Sequence, residues 1–400
     1  MKNRQVYLDN AATTPIDKRV LKAMMPFLTG YFGNSSSFHT PGKTVRDALD
    51  RARVTIATGL GARPDEIIFT SGGTEADNLA ILGFARKNQT QGKHILATKL
   101  EHPAVLESLE QLKKEGFEIE FLPVDGFGRV DPKDVVKGIR QDTILISIMY
   151  ANNEIGTLNP IAEIGKRVTV YRKEHGSAYP VFHTDACQAV GALDILVDAL
   201  HVDMMSVNAS KIYGPKGNGA LYCKRGLKLQ PLQFGGHQER RVRPGTENIA
   251  GIVGFAKAFE LALEAREKES HRLTQLRDYF ISEIKRTVAK VRLNGHPAER
   301  LPNNVNISFM DIEGEALSLY LDAKGIYVAT GSACTSESLD PSHVIVGLGL
   351  PYEVAHGSIR FTLGRLTTKK DLDYVLSVLP GLVEKLRRMS PVHVDEKYFE

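Results

Sequence analysis

Four polar side chains follow short apolar runs of the sequence, at the points where buried strands should end. They are Thr74 after IIFT, His102 after HILATKL, Asp185 after VFHT and Lys211 after MMSVNAS. In an open parallel sheet, ligands bind beyond the carboxyl ends of the strands. We therefore expect one pocket to collect all four groups.

Residues 71–75, SGGTE, join a predicted strand to a predicted helix through two glycines. A helix N-terminus offers unpaired N–H groups and the positive end of the helix dipole, which suits a phosphate. The same residues could instead form a capping box from Thr74 to Asp77, with glycines that only turn the chain. No Gly-Lys-Ser/Thr follows at the required spacing, so the segment is not a Walker loop.

Asp185 and Lys211 add two further functional groups. An acid at a strand end often caps the next helix, but it can also hold the proton on a pyridine nitrogen. A lysine after a strand is usually a solvated charge, yet Lys211 lies in the small-residue loop NASKIYGPKGNGALY, which could hold it in a cleft. A desolvated lysine can form a Schiff base. Together, such a lysine, the acid and a phosphate-binding helix end meet the requirements of pyridoxal phosphate.

Arg360 and three cysteines are the remaining candidates. Arg360, in SIRFTLGR, is either a surface or ion-pair arginine or a planar fork for a substrate carboxylate. Cys223, in the apolar run ALYC, and Cys187, beside Asp185, favour core packing. Cys334 lies among small polar residues in ATGSACTSESLDPSH, a context that favours a reactive thiol over an accidental exposed one.

Composition excludes several classes of protein. The chain has 400 residues, and 51 Lys+Arg against 47 Asp+Glu give a net charge of +4, with no basic block that would favour nucleic acid as the main partner. Three cysteines are too few for a disulfide framework. No apolar run reaches the ~18 residues of a membrane span, and the N-terminus lacks an apolar signal core. We expect a cytoplasmic protein that binds no membrane.

Short β-branched runs alternate with longer helical patterns and predict an α/β fold with a mostly parallel sheet covered by helices on both faces. From about Thr246 a long helical stretch leads to a second, smaller α+β lobe, and the polar tail after it should be loose. The expected domains are 14–255, and 1–13 with 256–400. The predicted strands are 66–70, 94–98, 144–150, 181–184, 204–207, 220–223, 304–309, 326–329 and 358–363, and the predicted helices include 74–87, 104–115 and 369–388.

The chain resembles the cysteine desulfurases of the NifS/IscS type, in the class V aminotransferase superfamily of fold-type I pyridoxal phosphate enzymes. The longer loop around Cys334 is similar to that of group I. The resemblance runs essentially end to end, through the motifs YLDNAATTP, SGGTEADNLAI, EHPAV, NNEIGT, HTDACQAVG, SKIYGPKGNGALY, GGHQERRVRPGTENIAG, GSACTSESLDPSHV and SIRFTLGRLTT.

This resemblance implies a role for each matching residue. Lys211 corresponds to the Schiff-base lysine and proton shuttle, and Cys334 to the nucleophile that forms a persulfide. His102 corresponds to the histidine that stacks on the cofactor ring and exchanges protons, and Arg360 to the arginine that binds the substrate carboxylate. The implied cofactor contacts are Gly73 and Thr74 (phosphate), Asn153 and Gln188 (near the substrate carboxylate and the phenolic oxygen), Asp185 (pyridine nitrogen) and Thr246 (phosphate of the neighbouring subunit).

The chain departs from the family pattern beside the lysine. The family usually has Ser-x-His-Lys, whereas this chain has Asn208-Ala209-Ser210-Lys211. Asn208 and Ser210 can still donate hydrogen bonds to a phosphate. The imidazole that could carry a positive charge is lost, so we expect weaker cofactor binding.

The activity implied is conversion of L-cysteine to L-alanine, with sulfur passed to Cys334. A homodimer is implied, as is an acceptor such as an iron–sulfur scaffold protein or a carrier for tRNA thiolation. No resident metal is expected, although Cys334 could act as a transient ligand of an iron–sulfur cluster. The alternatives are a selenocysteine lyase, a class V aminotransferase, or a non-catalytic subunit of sulfur assembly.

Overall fold

The computed structural model describes residues 4–331, 341–391 and 393–399. The strands in these ranges are β1 (Val6–Tyr7), β2 (Ile67–Thr70), β3 (His94–Ala97), β4 (Glu118–Phe121), β5 (Thr143–Ser147), β6 (Val181–Asp185), β7 (Met204–Asn208), β8 (Gly219–Cys223), β9 (Val291–Leu293), β10 (Asn304–Phe309), β11 (Ile326–Tyr327), β12 (Ala329–Thr330) and β13 (Ser358–Thr362).

Helices alternate with these strands. The α-helices in the described ranges are α1 (Lys18–Thr29), α2 (Thr40–Leu60), α3 (Gly73–Asn78), α4 (Phe84–Asn88), α5 (Pro103–Lys114), α6 (Pro132–Gly138), α7 (Ile161–Glu174), α8 (Val197–Leu200), α9 (Ile249–Thr287), α10 (Gly314–Asp322), α11 (His343–Gly347), α12 (Tyr352–His356) and α13 (Lys369–Met389). A π-helical turn, Leu79–Gly83, joins α3 to α4, so the helix predicted over 74–87 is one rod with a local change of pitch.

The main sheet has, within the described chain, seven strands in the order β2-β8-β7-β6-β5-β3-β4. The pairs among β3 to β7 are parallel, and β8 runs antiparallel to both of its neighbours. Successive residues of β2 pack into different cores, since Ile67 and Phe69 belong to one apolar cluster and Ile68 to another. Both faces are thus covered, because strand side chains alternate in direction. The predicted fold class is confirmed.

A smaller antiparallel sheet, with the strand order β12-β13-β10-β9, follows the main one in the sequence. The single strand predicted over 326–329 is wrong. Residues on either side of Val328 enter different sheets, since β11 pairs in parallel with β1 and β12 pairs with β13. The N-terminal strand therefore adds to the smaller lobe although it comes first in the sequence.

Helix α9 connects the two sheets. Its residues up to Ala262 pack into the apolar cluster on the main sheet, and those from Leu273 onward pack into the cluster of the smaller sheet. We propose the division into 14–255, and 1–13 with 256–400, on this basis. The boundary then lies inside one continuous helix.

The C-terminal tail is docked over its described residues, which corrects our expectation of a loose segment. The backbone N–H of Val394 donates to Asp311 at 2.8 Å. Tyr398 and Phe399 pack against a small apolar cluster, and Lys290 lies over the Phe399 ring. The prediction of a loose tail was based on its polar composition. The packing of its aromatic residues instead holds the tail against the rest of the chain. Among the described residues, no helix is both long and apolar enough to cross a membrane.

Candidate active site

A cavity of about 550 Å³ opens at the carboxyl ends of the parallel strands. It brings together all four groups named from strand ends, Thr74, His102, Asp185 and Lys211. Six further predicted residues also line it: Gly73, Asn153, Gln188, Asn208, Ser210 and Arg360. Two predicted residues are not among the lining residues. Thr246 is exposed elsewhere on the chain, and Cys334 lies outside the described residues.

Lys211 is fixed by the N-terminal motif AATT. Its Nζ donates a hydrogen bond to the backbone carbonyl of Ala12. The backbone N–H and the hydroxyl of Thr14 both donate to the carbonyl of Ser210 at 2.9 Å, and the N–H of Tyr213 donates to the Thr14 hydroxyl at 2.8 Å. The loop around the lysine is therefore held against a segment almost 200 residues away, with the amine on the cavity wall.

Asp185, the last residue of β6, is 5% exposed and lines the cavity. One carboxylate oxygen accepts the backbone N–H of Cys187 at 2.8 Å. This bond closes a local turn and orients the carboxylate. No helix begins at Asp185, since the next one, α8, starts at Val197, so the helix-capping alternative is wrong.

A buried polar network lies behind Asp185. The imidazole of His183 bridges the hydroxyls of Ser147 and Ser206 at 2.9 and 3.0 Å, and burial lowers its pKa to about 3. Burial, with the nearby carboxylate of Asp185, raises the pKa of Asp77 well above its usual range. Both neighbours of Asp185 are therefore favoured in their neutral forms.

His102 caps helix α5. Its Nδ1 accepts the backbone N–H of Ala104 at 3.1 Å, so the neutral ring carries its proton on Nε2. Burial lowers the pKa of His102; the carboxylate of Asp185 opposes this shift, and the nearby amine of Lys211 adds to it. At neutral pH the cavity therefore contains an uncharged imidazole at this position.

The turn between β2 and α3 does not form the capping box that the sequence left as an alternative. Helix α3 begins after Gly72, and no side chain caps it. Gly73 is required by packing, since a Cβ there would lie 2.7 Å from Cys187 Sγ. A Cβ on Gly72 or Gly217 would meet nothing within 4 Å, so at both residues the backbone borders open space in the cavity wall.

These open positions and the polar groups around them fit a phosphate. The hydroxyls of Thr74 and Ser210 and the amide of Asn208 can donate hydrogen bonds, and Lys216 adds a positive charge to the lining. A glutamate also lines this end, but Arg243 pairs with Glu75 at 2.9 Å and offsets its negative charge. An amine, a carboxylate and this phosphate cradle in one cavity match the groups that pyridoxal phosphate requires.

Arg360 lies on β13 and is 3% exposed. Its Nη1 donates to the backbone carbonyl of Asn153 at 2.9 Å, and its Nη2 donates to the carboxylate of Asp9 at 2.9 Å. Its Nε is buried without a partner among the described residues. The arginine is thus both the ion-pair residue and the cavity-lining residue that the sequence left as alternatives.

Gln188 and Thr246 have different surroundings. The side-chain amide of Gln188 donates to the carbonyl of Ala11 at 3.0 Å, next to the carbonyl that receives the lysine. Thr246 is exposed, and its neighbour Glu247 accepts the hydroxyl of Ser35 at 2.7 Å. The loop of Thr246 is thereby tied to the segment that follows α1.

Sequence reasoning missed Glu154 and His343, which also line the cavity. Burial raises the pKa of Glu154, and its carboxyl group accepts a hydrogen bond from the hydroxyl of Ser342. Both residues lie in motifs quoted above, NNEIGT and DPSHV, but a lone acid or histidine in a motif does not reveal which residue across the fold it meets.

Cys187 and Cys223 are both buried, as expected. Burial raises the pKa of the Cys187 thiol well above its usual range and that of Cys223 to about 12. Neither is suited to act as a thiolate at neutral pH. Across the ranges that the structure describes, no group of three or more His, Cys, Asp or Glu side chains could hold a metal ion.

Residues 6–375 match the family described as Aminotransferase class-V. Cysteine desulfurase IscS of Dictyoglomus turgidum is 56% identical over 388 residues, which cover 97% of this chain and 97% of that protein. Cysteine desulfurase IscS of Methanosarcina thermophila is 52% identical over 390 residues, covering 98% of this chain and 95% of that protein.

Two solved structures are also similar. One is described as a NifS-like protein and superposes with a TM-score of 0.88 at 35% identity, covering 96% of this chain and 100% of that one. The other, SspA in complex with cysteine, has a TM-score of 0.78 at 35% identity and covers 90% and 99%. The chain therefore belongs to the class-V aminotransferase family, among relatives of nearly equal length that are cysteine desulfurases.

Proposed function

We propose that this protein is a cysteine desulfurase that converts L-cysteine to L-alanine and keeps the sulfur as a persulfide on Cys334. The observation that carries the proposal is the single cavity that collects Lys211, Asp185, His102 and Arg360. An amine, an acid, a neutral imidazole and a guanidinium are the groups that a reaction of an amino acid at its Cα requires. The names of the full-length relatives support the same activity.

The cofactor that these residues would hold is pyridoxal 5'-phosphate. Lys211 would bind it covalently, Asp185 would face its ring nitrogen, and His102 would lie beside the ring. The phosphate would be held by Gly73, Thr74, Asn208 and Ser210. Asn153 and Gln188 would lie near the substrate carboxylate and the phenolic oxygen of the cofactor. When bound, the cofactor supplies an acceptor for the electrons released at the substrate Cα.

The side chains of the chain itself divide the remaining work. Arg360 binds the substrate carboxylate as a planar fork, which fixes the direction of the Cα–H bond. The amine of Lys211 takes that proton from Cα and returns a proton to the carbon skeleton. His102, which carries its proton on Nε2, is placed to donate it and recover it.

The sulfur step needs a thiolate, which we assign to Cys334. The thiolate attacks the sulfur of bound cysteine, so a sulfur–sulfur bond forms while the Cβ–sulfur bond breaks. The electron pair of the broken bond stays with the carbon fragment, which takes up a proton and leaves as alanine. The transferred sulfur remains on the enzyme as a persulfide, which is the usual benefit of a covalent intermediate.

The persulfide must then pass to an acceptor. We propose an iron–sulfur scaffold protein in the cytoplasm, with carriers for tRNA thiolation as further acceptors. The same Cys334 could hold a nascent cluster briefly during this transfer.

A homodimer would complete the site. Thr246 is not among the residues that line the cavity of its own chain, and a second copy would bring it to the partner's phosphate site. Three large aromatic residues are strongly exposed: Phe32 is 82% exposed, Phe38 87% and Phe234 84%. The segment of Phe38 is joined to the Thr246 loop by the bond from Ser35 to Glu247, so an exposed aromatic residue and the threonine belong to connected segments.

The test is to incubate the purified holoenzyme with L-cysteine, quantify alanine and sulfide, and locate the persulfide by mass spectrometry. Cys334→Ala should bind the cofactor normally and form neither product, whereas the matched control Cys223→Ala should remain active because that thiol is buried away from the cavity. Full turnover by Cys334→Ala would remove this thiol from the reaction. Amino-group transfer to a keto acid in place of sulfide release would identify an aminotransferase instead.

A further inference from the structure

His343, the first residue of α11, lines the cavity. Its Nε2 lies 3.0 Å from the backbone carbonyl oxygen of Glu101. Because a carbonyl oxygen only accepts, Nε2 must carry the hydrogen of this bond. In the neutral ring, Nδ1 is then a hydrogen-bond acceptor.

Two hydrogen bonds place His343 on the same wall of the cavity as Arg360. Arg360 donates to the carbonyl of Asn153 at 2.9 Å. The next residue, Glu154, accepts the hydroxyl of Ser342, which immediately precedes His343. The position of the imidazole is therefore fixed relative to the guanidinium through buried contacts of two loops.

The two imidazoles of the cavity offer opposite hydrogen-bonding groups. His102 uses Nδ1 to accept the N–H of Ala104 and carries its hydrogen on Nε2. His343 uses its Nε2–H for the carbonyl of Glu101 and offers Nδ1. The cavity thus contains one imidazole donor and one imidazole acceptor, both held by backbone groups.

A bound cysteine has three polar groups. Its amine is assigned to the region of Lys211 and its carboxylate to Arg360, which leaves the thiol. A thiol is a weak donor, and an acceptor on the wall shared with Arg360 is suited to hold it. We propose that His343 binds the substrate thiol, with Nδ1 accepting a hydrogen bond from S–H. This inference rests on the proposed function and adds to it a determinant of specificity for thiol substrates.

Two substitutions of His343 test the roles of its two ring nitrogens separately. His343→Gln keeps a donor near the position of Nε2, for the Glu101 carbonyl, and removes the acceptor at Nδ1. His343→Asn places a carbonyl oxygen near the position of Nδ1 and loses the donor that reaches Glu101. The first ligand is L-cysteine, for which KM and kcat are measured. The second is L-2-aminobutyrate, which has a methyl group in place of the thiol. Its Kd for each holoenzyme is measured by calorimetric titration.

We expect His343→Gln to raise KM for cysteine about threefold to tenfold, as for the loss of one neutral hydrogen bond, while the Kd of L-2-aminobutyrate stays within about twofold because the methyl group makes no such bond. His343→Asn should have a KM closer to that of the wild type. An unchanged KM in His343→Gln, or an equal shift for both ligands, would overturn the assignment, the second by showing a merely structural role. A wild-type holoenzyme that forms no alanine from cysteine would instead overturn the proposed function, and this inference with it.

Discussion

The guanidinium of Arg360 and the carboxylate of Asp9 form a hydrogen-bonded ion pair, with 2.9 Å between Nη2 and Oδ1. The two residues are 351 positions apart in the sequence. The Asp9 side chain is 20% exposed and that of Arg360 4%, so the arginine is the more deeply buried partner. Asp9 and the Asn153 carbonyl accept hydrogen bonds from two nitrogens of the Arg360 guanidinium and so fix its orientation. The guanidinium has further N–H groups that can donate to a substrate carboxylate.

Replacing Arg360 by lysine should mainly weaken the binding of cysteine. A lysine keeps the positive charge but loses the planar pair of donors that matches a carboxylate. We expect KM for cysteine to rise about tenfold or more, with a smaller change in kcat, because a charge-assisted pair is stronger than a neutral hydrogen bond. Asp9→Asn keeps the fork and should raise KM less. An unchanged KM in Arg360→Lys would mean that another group binds the carboxylate.

Lys211→Ala should remove the covalent attachment of the cofactor. The holoenzyme should show a visible absorption band that borohydride bleaches, and the variant, reconstituted with the same cofactor, should lack it. Lys216→Ala is the matched control, since that lysine also lines the cavity but is assigned only to the phosphate. A Lys211→Ala protein that retains the bleachable band would contradict the lysine assignment.

Ser210→His should strengthen the retention of cofactor. The substitution introduces the imidazole that the resemblance to the family pattern implies beside the lysine, and a charged donor to a phosphate is stronger than a hydroxyl. We expect the Kd of the cofactor to fall about fivefold, measured by equilibrium dialysis of reconstituted protein. Thr14 bonds to the backbone carbonyl of Ser210 and not to its side chain, so we expect the loop to keep its position in the variant. Equal or weaker retention would show that Asn208, Lys216 and the backbone already satisfy the phosphate.

The cavity residues at strand ends were predictable because their signal is local. A short apolar run followed by a polar residue marks the end of a buried strand, and parallel strands bring such ends together. Thr74, His102, Asp185 and Lys211 were found in this way, and all four line one cavity. Their roles beyond this placement came from the resemblance.

Contacts between distant segments were not predictable from these patterns. Nothing local to Asp9 or Ala12 indicates that they meet Arg360 and Lys211. His343 was missed for the same reason, since its importance depends on the Glu101 carbonyl 242 positions away. The strand predicted over 326–329 failed because the apolar run continues across Val328 while its hydrogen bonds pass from one sheet to another.

Glu101, a buried acid next to His102, makes stability depend on pH. Burial raises the pKa of Glu101 from 4.5 to about 8, although Thr98 and the N–H of Met149 donate to one of its oxygens at 2.8 and 3.1 Å. Its other oxygen has no partner among the described residues. Between pH 4.5 and about 8 the unfolded chain has lost a proton that the folded chain retains. Stability attributable to this residue therefore falls as pH rises through that range.

Glu101→Gln should remove this dependence, because its amide is a neutral isostere of the protonated acid and its oxygen can accept the same two bonds. Relative to the wild type, the variant should gain free energy of unfolding between pH 5 and pH 8, by up to roughly 4 kcal/mol. Urea or thermal unfolding of both holoenzymes at the two pH values measures the difference. Glu107→Gln, exposed on helix α5, which begins two residues after Glu101, is the control and should follow the wild type. If the Glu101→Gln and wild-type stabilities changed in parallel with pH, the carboxyl group would have to be ionised in the fold, and its uncompensated oxygen would need a partner outside the described residues.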